Sequence, residues 1–438
     1  MNENGNKNHL NENRKKFLFV SFESLSGDLA WQIQKEGHEV RVFIEKDSDK
    51  DVYGGILDRA DDWKKHADWA DVIVFDDIGF GDAAESLRAS GKLVIGGSRY
   101  ADKLEADREF GQNEMQKAGM AVLAHWDFAD FDSAISFIKS NPGRYVFKPS
   151  GNTPSDQKGI LFLGQEEDGK DLIEILEQNK KAWARKIKKF QLQKMAEGVE
   201  VAVGAFFNGE DFISPVNVNF EHKKLFPGDL GPYTGEMGTL MYWSPENEIF
   251  RKTLLKIKPE LAKSGYIGYI DINCIANAKG IYPLEFTSRF GYPTISVQME
   301  GVSSEWGNFL YRLAQKEKPE LKIKKGFQIG VVIVVPPFPY EDKREAAIYQ
   351  DLSILFRKPN LDGVHLGDVK IVNDTWAVAG DSGYVLVITG SGITVEETRK
   401  QVYSRVNNII LQNMYYRTDI GARWPRDSDR LHMWGYLY

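Results

Sequence analysis

At 438 residues, with 42% hydrophobic and 27% charged side chains, the chain is too long for one core and reads as a soluble globular protein of about two to four domains. Its net charge of −7 argues against an electrostatic nucleic-acid binder, and its single cysteine, Cys274, excludes an intramolecular disulfide framework and suits a reducing compartment. No stretch approaches the roughly 20 apolar residues of a membrane span, so the expectation is a cytoplasmic protein with small-molecule partners.

Residues 1–16 are polar and rich in Asn, unlike a signal peptide, and are expected to form a disordered leader. Phe17–Val20 is a short apolar run typical of a buried parallel strand. A helical stretch with Leu29 and Ile33 follows and ends near Gly37. Val40–Ile44, Val72–Phe75 and Leu93–Ile95 repeat the pattern, which predicts a Rossmann-like domain over 17–120. Residues 121–194 read as a small α+β unit in which Tyr145–Pro149 and Gly159–Leu163 form a hairpin. The basic residues from Lys180 to Lys189 read as a solvated helix face. Glu200–Phe207, Gly268–Ile275 and Ile281–Phe286 are strand-like and predict a central antiparallel sheet, with a helix between Glu246 and Ser264. A last unit starts at Ile329–Val335, and Thr394 caps a predicted amphipathic helix reaching Ile410.

Several residue types stand where phosphate chemistry would need them. Lys148 ends a predicted strand before the loop 150–159, whose amides and Lys158 could cover phosphates, although the loop is no P-loop. Asp271 and Glu285 lie on adjacent apolar runs joined by a turn at 277–280, where both can face one divalent cation. Arg289 follows four residues later and can stabilise charge on a transferred phosphoryl group. His222 fits a base or phosphate contact as well as a structural hydrogen-bonder. Cys274, in a strand-like run, reads as packing. Zinc-ligand spacing and a Gly-x-Ser-x-Gly elbow are absent.

Glu221-His-Lys223, the glycine-rich Asp229–Gly238, Glu285-Phe with Arg289-Phe-Gly, and Tyr416–Arg423 occur in an order that resembles the phosphoribosylamine–glycine ligase family of ATP-grasp enzymes. The resemblance implies α/β and α+β domains: a Rossmann-like domain (17–120), an ATP-grasp lid (121–194) and main domain (195–327), and a C-terminal α/β domain (328–438). It implies ATP and Mg²⁺ as cofactors, with glycine activated as an acyl phosphate. Lys148 and Arg108 then look like phosphate ligands, Gln193 to Met195 like the adenine hinge, and Glu200 like a ribose contact. Glu285 looks like a magnesium ligand, with Thr287 where the family has Asn and Asp271 as a possible substitute. Asp229, Gly231, Tyr233, Thr234, Gly235 and Glu236 fall on the substrate loop.

Three departures bear on the substrate. The family's glycine-rich Arg-Glu-His loop after the first strand is Ser21–Asp28 here. Tyr233 and Glu236 add a ring and a charge to the substrate loop, with Glu236 expected to repel a phosphate. Tyr292 and Thr294 remove two carboxylates. The leading expectation is a carboxylate–amine ligase with an acceptor other than phosphoribosylamine, a nucleoside-like amine being one candidate. The rivals are the family's own reaction in purine synthesis and a nucleotide-binding protein without catalysis.

Overall fold

The structure is a computed structural model and describes residues 14–150, 160–340 and 342–437. The expected leader lies outside the described residues as far as residue 13, and Lys16 already opens the first strand. That strand, Lys16–Ser21, is the centre of a five-stranded parallel sheet. Glu39–Ile44 and Asp58–Arg59 lie to one side, Val72–Phe75 and Leu93–Ile95 to the other. The runs are apolar because both faces are covered: Phe17, Phe19, Val72 and Val74 join one core, Leu18, Val20, Ile73 and Phe75 another. Strand order reverses between Lys16–Ser21 and Val72–Phe75, so their carboxyl ends open a crevice where doubly wound sheets bind ligands.

The lid is a four-stranded sheet in the order His125–Phe128, Lys189–Lys194, Tyr145–Ser150, Phe162–Leu163. Helices Phe131–Ser140 and Lys170–Trp183 pack on it around a separate core with Phe147, Leu172, Leu176 and Phe190. Of the basic run, Lys180 pairs with Asp132 and Lys189 with Glu109, as a solvated face would.

The main sheet has eight strands. Its order is Gly280–Thr287, Gly268–Asn277, Val199–Phe207, Val216–Glu221, Gly238–Ser244, Phe327–Val334, Tyr384–Gly392, Val364–Leu366. Three of these come from the segment expected to be a separate C-terminal domain. Its first strand pairs with Gly238–Tyr242, so a boundary at 327/328 cuts through one continuous sheet. The 246–264 helix is broken into Glu248–Lys252, a 3₁₀ turn at Leu254–Ile257 and Lys258–Ser264. The helix capped by Thr394 has a full capping box with Glu397 but stops at Val406, because Ile409–Ile410 leaves to pair with Leu355–Phe356.

Candidate active site

Residues 216–221 alternate Val-Asn-Val-Asn-Phe-Glu, and Asp271-Ile-Asn273 continues the alternation two strands away. Period-two geometry therefore sends Asn217, Asn219, Glu221, Asp271 and Asn273 to one face, while Val216, Val218, Phe220 and Ile272 enter the core. Register then sets Asp271 opposite Thr287 and Asn273 opposite Glu285, followed by a bulge at Asn273/Cys274. The three expected metal ligands are thus on alternate rungs of one ladder.

The hub of this face is Lys223, which the sequence reading quoted only as part of a motif. Its Nζ lies 3.4 Å from Glu200, 3.4 Å from Glu221 and 3.6 Å from Glu285. Those carboxylates outweigh burial and hold the ammonium well above the usual lysine range. Asn273 Nδ2 donates to Glu221 at 3.3 Å. Burial, with Glu221 nearby, pushes the Asp271 carboxyl up to about 8. Asp271 Oδ1 and Asn273 Oδ1 are buried without hydrogen-bond partners. These hard oxygens fit a magnesium ion whose remaining shell comes from phosphate and water. Among the described residues no group of three or more His, Cys, Asp or Glu forms a complete protein cage. The signal for Lys223 lay in the alternating polar positions, which mark a polar row needing a counter-charge.

The residues expected to meet a nucleotide lie between lid and main sheet. Lys148 Nζ donates to Gln193 Oε1 at 2.7 Å. Since lysine only donates, the amide oxygen must face it, and Gln193 Nε2 is left buried without a partner. Burial, with Arg108 adding repulsion, lowers the Lys148 ammonium to about 7. Arg108 begins the helix Arg108–Lys117 under an Asp107 cap and lines a cavity of about 30 Å³ with Gln112 and Glu285. Gln112 and Gln191 exchange two hydrogen bonds at 3.0 and 2.9 Å, tying that helix to the lid. Met195 is half-buried where the chain leaves the lid, its amide on the Arg144 carbonyl at 3.0 Å. Glu200, five residues later, is the second residue of the main-sheet strand Val199–Phe207. Lys158 lies outside the described residues.

Arg289 faces the parallel sheet, 3.1 Å from Glu105 and 3.5 Å from Asp77, and those carboxylates keep it firmly charged. Burial pushes Asp77 up to about 7 and Asp76 to about 6. Arg289 therefore couples the main sheet to the parallel sheet at its crevice, where phosphate stabilisation alone was expected.

The loop expected to meet the substrate is held from below. Asp229, with φ +56°, accepts from Arg417 at 3.0 Å and Arg423 at 3.2 Å. Arg417 is fully buried and grips Asp419 through two bonds at 2.8 and 2.7 Å. Gly231, at φ +80°, accepts from Lys224 through its carbonyl at 3.0 Å, and Thr234 is bonded to the Lys223 carbonyl through amide and hydroxyl. The Lys224 ammonium sits 3.7 Å from the centre of the Tyr233 ring, covering a surface expected to be open for stacking. Gly235 is exposed and a Cβ there would meet nothing within 4 Å. Glu236 turns inward: burial and the neighbouring Glu221 push its carboxyl well above the carboxylate range. Turned inward, it leaves no charge on the loop surface, where repulsion of a phosphate was expected.

His222 is buried, neither ring nitrogen has a partner, and burial with Arg423 and Arg417 lowers it to about 3. A ring this weakly basic is a poor proton acceptor for the chemistry at neutral pH. Its depressed basicity means the unfolded chain binds a proton first as pH falls below 6.5, so folded stability drops there. His222→Gln is expected to remove this loss, gaining up to about 2 kcal/mol relative to wild type between pH 7.5 and pH 5. Urea unfolding at the two pH values measures it, and a parallel offset at both contradicts a buried neutral ring.

With this geometry in hand, the comparisons are specific. Residues 106–295 match the ATP-grasp (A) domain of phosphoribosylglycinamide synthetase. The phosphoribosylamine–glycine ligase of Streptococcus pneumoniae is 26% identical over 351 residues, 77% of this chain and 80% of that protein. The Listeria monocytogenes enzyme is 26% identical over 377 residues, covering 83% and 86%. The crystal structure of phosphoribosylamine–glycine ligase from Thermotoga maritima superposes with a TM-score of 0.70 at 19% identity, over 93% of this chain and all of that one. Biotin carboxylase from Campylobacter jejuni follows at 0.62 and 14%, covering 98% of each. Lid and main sheet thus stand in an ATP-grasp arrangement, with residues 106–295 matching the phosphoribosylglycinamide synthetase ATP-grasp domain and most of the chain similar to phosphoribosylamine–glycine ligases.

Proposed function

We propose that the protein joins a small amino acid, glycine by analogy with its relatives, to an amine acceptor other than phosphoribosylamine, using ATP and Mg²⁺. Lys148 and Arg108 are suited to the phosphates. Met195 and the unpartnered Gln193 amide suit the adenine, and Glu200 suits the ribose. Glu285, Asp271 and Thr287 would hold the magnesium, which when bound neutralises phosphate charge. The amino-acid carboxylate attacks the terminal phosphoryl group and ADP leaves. The acceptor amine then attacks the acyl carbon, phosphate leaves, and the amine's proton goes with it. The polar row keeps the acyl phosphate beside the buried face, away from bulk water.

One observation carries the altered acceptor. A Cβ on Gly27 would lie 1.9 Å from Tyr53 Cε2, so the ring fills the space over the first-strand loop. Around it gather Glu23, Asp49, Asp368 and Asp381, with Lys46 as a counter-charge 3.2 Å from Asp381 and 3.5 Å from Asp49. Burial holds Asp49 and Asp368 above the usual carboxylate range, and Lys46 is already shared between acids, so a sugar phosphate is poorly neutralised here. The relatives' names favour a second reading, the family's own reaction. ADP release with Mg²⁺-ATP and glycine, with and without phosphoribosylamine generated in place, separates them. The expected result is no dependence on phosphoribosylamine; turnover requiring both substrates establishes the second reading.

A further inference from the structure

The crevice of the parallel sheet is walled by oxygen acceptors that the nucleotide side leaves unused. Asp76, just beyond the strand Val72–Phe75, accepts from the Ser26 amide at 2.8 Å and hydroxyl at 2.7 Å through Oδ2, while Oδ1 is buried without a partner. Asp28, opening the helix Gly27–Lys35, is bonded to the Leu366 amide, the Ser296 hydroxyl and the His365 ring at 2.7–3.1 Å. Asp368 accepts from Ser24 and Ser382. Glu236 reaches the same region from the substrate loop with Oε1 unpartnered, and it is only 6% exposed. Between these acids Tyr292 stacks on Tyr384 with centroids 4.5 Å apart. The Tyr384 hydroxyl is buried and unpartnered, in the field of Glu236, Asp368 and Asp28.

The donor and acceptor inventory decides what fits. Asp76 Oδ1 and Glu236 Oε1 are carboxyl oxygens taken from water without a bond, an expensive state unless a ligand donates to them. A phosphate brings oxygens against oxygens, whereas an ammonium brings three N–H donors and a charge. The cations on the margin are already shared: Lys223 among Glu200, Glu221 and Glu285, Arg289 between Glu105 and Asp77, Lys46 between Asp49 and Asp381. Stacked tyrosines suit methylenes and a cation better than a hydrated sugar.

Resting on the altered-acceptor reading above, we propose that this seam takes an aliphatic di- or polyamine, its distal ammonium held by Asp76, Glu236 and Asp368 and its methylenes lying along Tyr292 and Tyr384. The free amine at the other end attacks the acyl phosphate, forming an amide and releasing phosphate with the amine's proton.

The test is calorimetric titration of the full chain, with Mg²⁺-ATP present, using 1,4-diaminobutane, spermidine and ribose 5-phosphate as probes. The diamine is expected to bind and the sugar phosphate not to. Glu236→Gln and Asp76→Asn should each weaken the diamine about tenfold or more, while Mg²⁺-ATP binding, which reports an intact fold, is unchanged. Ribose 5-phosphate binding as well as the diamine, or wild-type diamine affinity in both variants, overturns the proposal. Diamine binding with no ADP release under any condition leaves the cation site standing and removes the ligase reading. ADP release with glycine and phosphoribosylamine while diamines do not bind keeps the ligase and removes the cation site.

Discussion

Replacing Lys223 with methionine is expected to end nucleotide-dependent turnover and to lower stability by about 1–3 kcal/mol at neutral pH, less than for a fully buried pair because water reaches Glu200 and Glu285. The ammonium is the shared counter-charge of Glu200, Glu221 and Glu285 at 3.4–3.6 Å. Without it, like charges on adjacent strands face one another in a site of low polarity, and the geometry that presents Glu285 is lost with them. The pH dependence has a definite sign. In the wild type the lysine's folded proton affinity is raised, so its contribution is complete below about pH 10.4 and is lost only as pH rises beyond the folded value. In Lys223→Met the stranded carboxylates are relieved by protonation, so the deficit shrinks as pH falls from 7.5 toward 5. Urea unfolding at both values checks this. A deficit below about 1 kcal/mol, or one independent of pH, would remove Lys223 from the centre of the site.

Lys148→Met is expected to lower ATP turnover by about 10²–10³, the scale of losing one preorganised charge on a developing anion. The apo ammonium is depressed to about 7, and a triphosphate restores it, so nucleotide binding takes up a proton above pH 7. Wild-type affinity for ATP should therefore weaken as pH rises from 6.5 to 8, and the variant's should stay flat. The same depression destabilises the apo fold: between about pH 7 and 10.4 unfolding takes up a proton, so this group's contribution to stability rises with pH. The methionine variant loses that slope and is expected to melt slightly higher at neutral pH, a stability gained at the expense of function. Isothermal titration in two buffers of different ionisation enthalpy reads the proton directly. Equal pH profiles for the two proteins would assign the titration elsewhere.

Much of the frame follows from local pattern. Phe17–Val20 and Val72–Phe75 are apolar at every position, which only a sheet covered on both faces requires, and Thr394 with Glu397 carries its own helix start. Asp271 and Glu285 were legible as neighbours because one short turn at 277–280 joins their strands, while Thr287 entered only through the family resemblance. Tertiary structure decided what depends on contacts distant in sequence. Phe327–Val334 joins the main sheet because its partner at 238–242 offers an unpaired edge, a fact no local window contains. Asp229 became an anchor because Arg417 and Arg423, nearly 200 residues away, converge on it. Glu236, a surface charge in the sequence, is a buried carboxyl held well above the usual carboxylate range by burial and by Glu221. The sequence by itself determined the parallel strands, the capped helix start at Thr394 and the hairpin that brings Asp271 near Glu285, since periodicity and turn chemistry act over a few residues. Only the tertiary structure decided which of those charges are paired, buried or left reaching for a ligand, because burial and electrostatics are set by the whole surrounding fold.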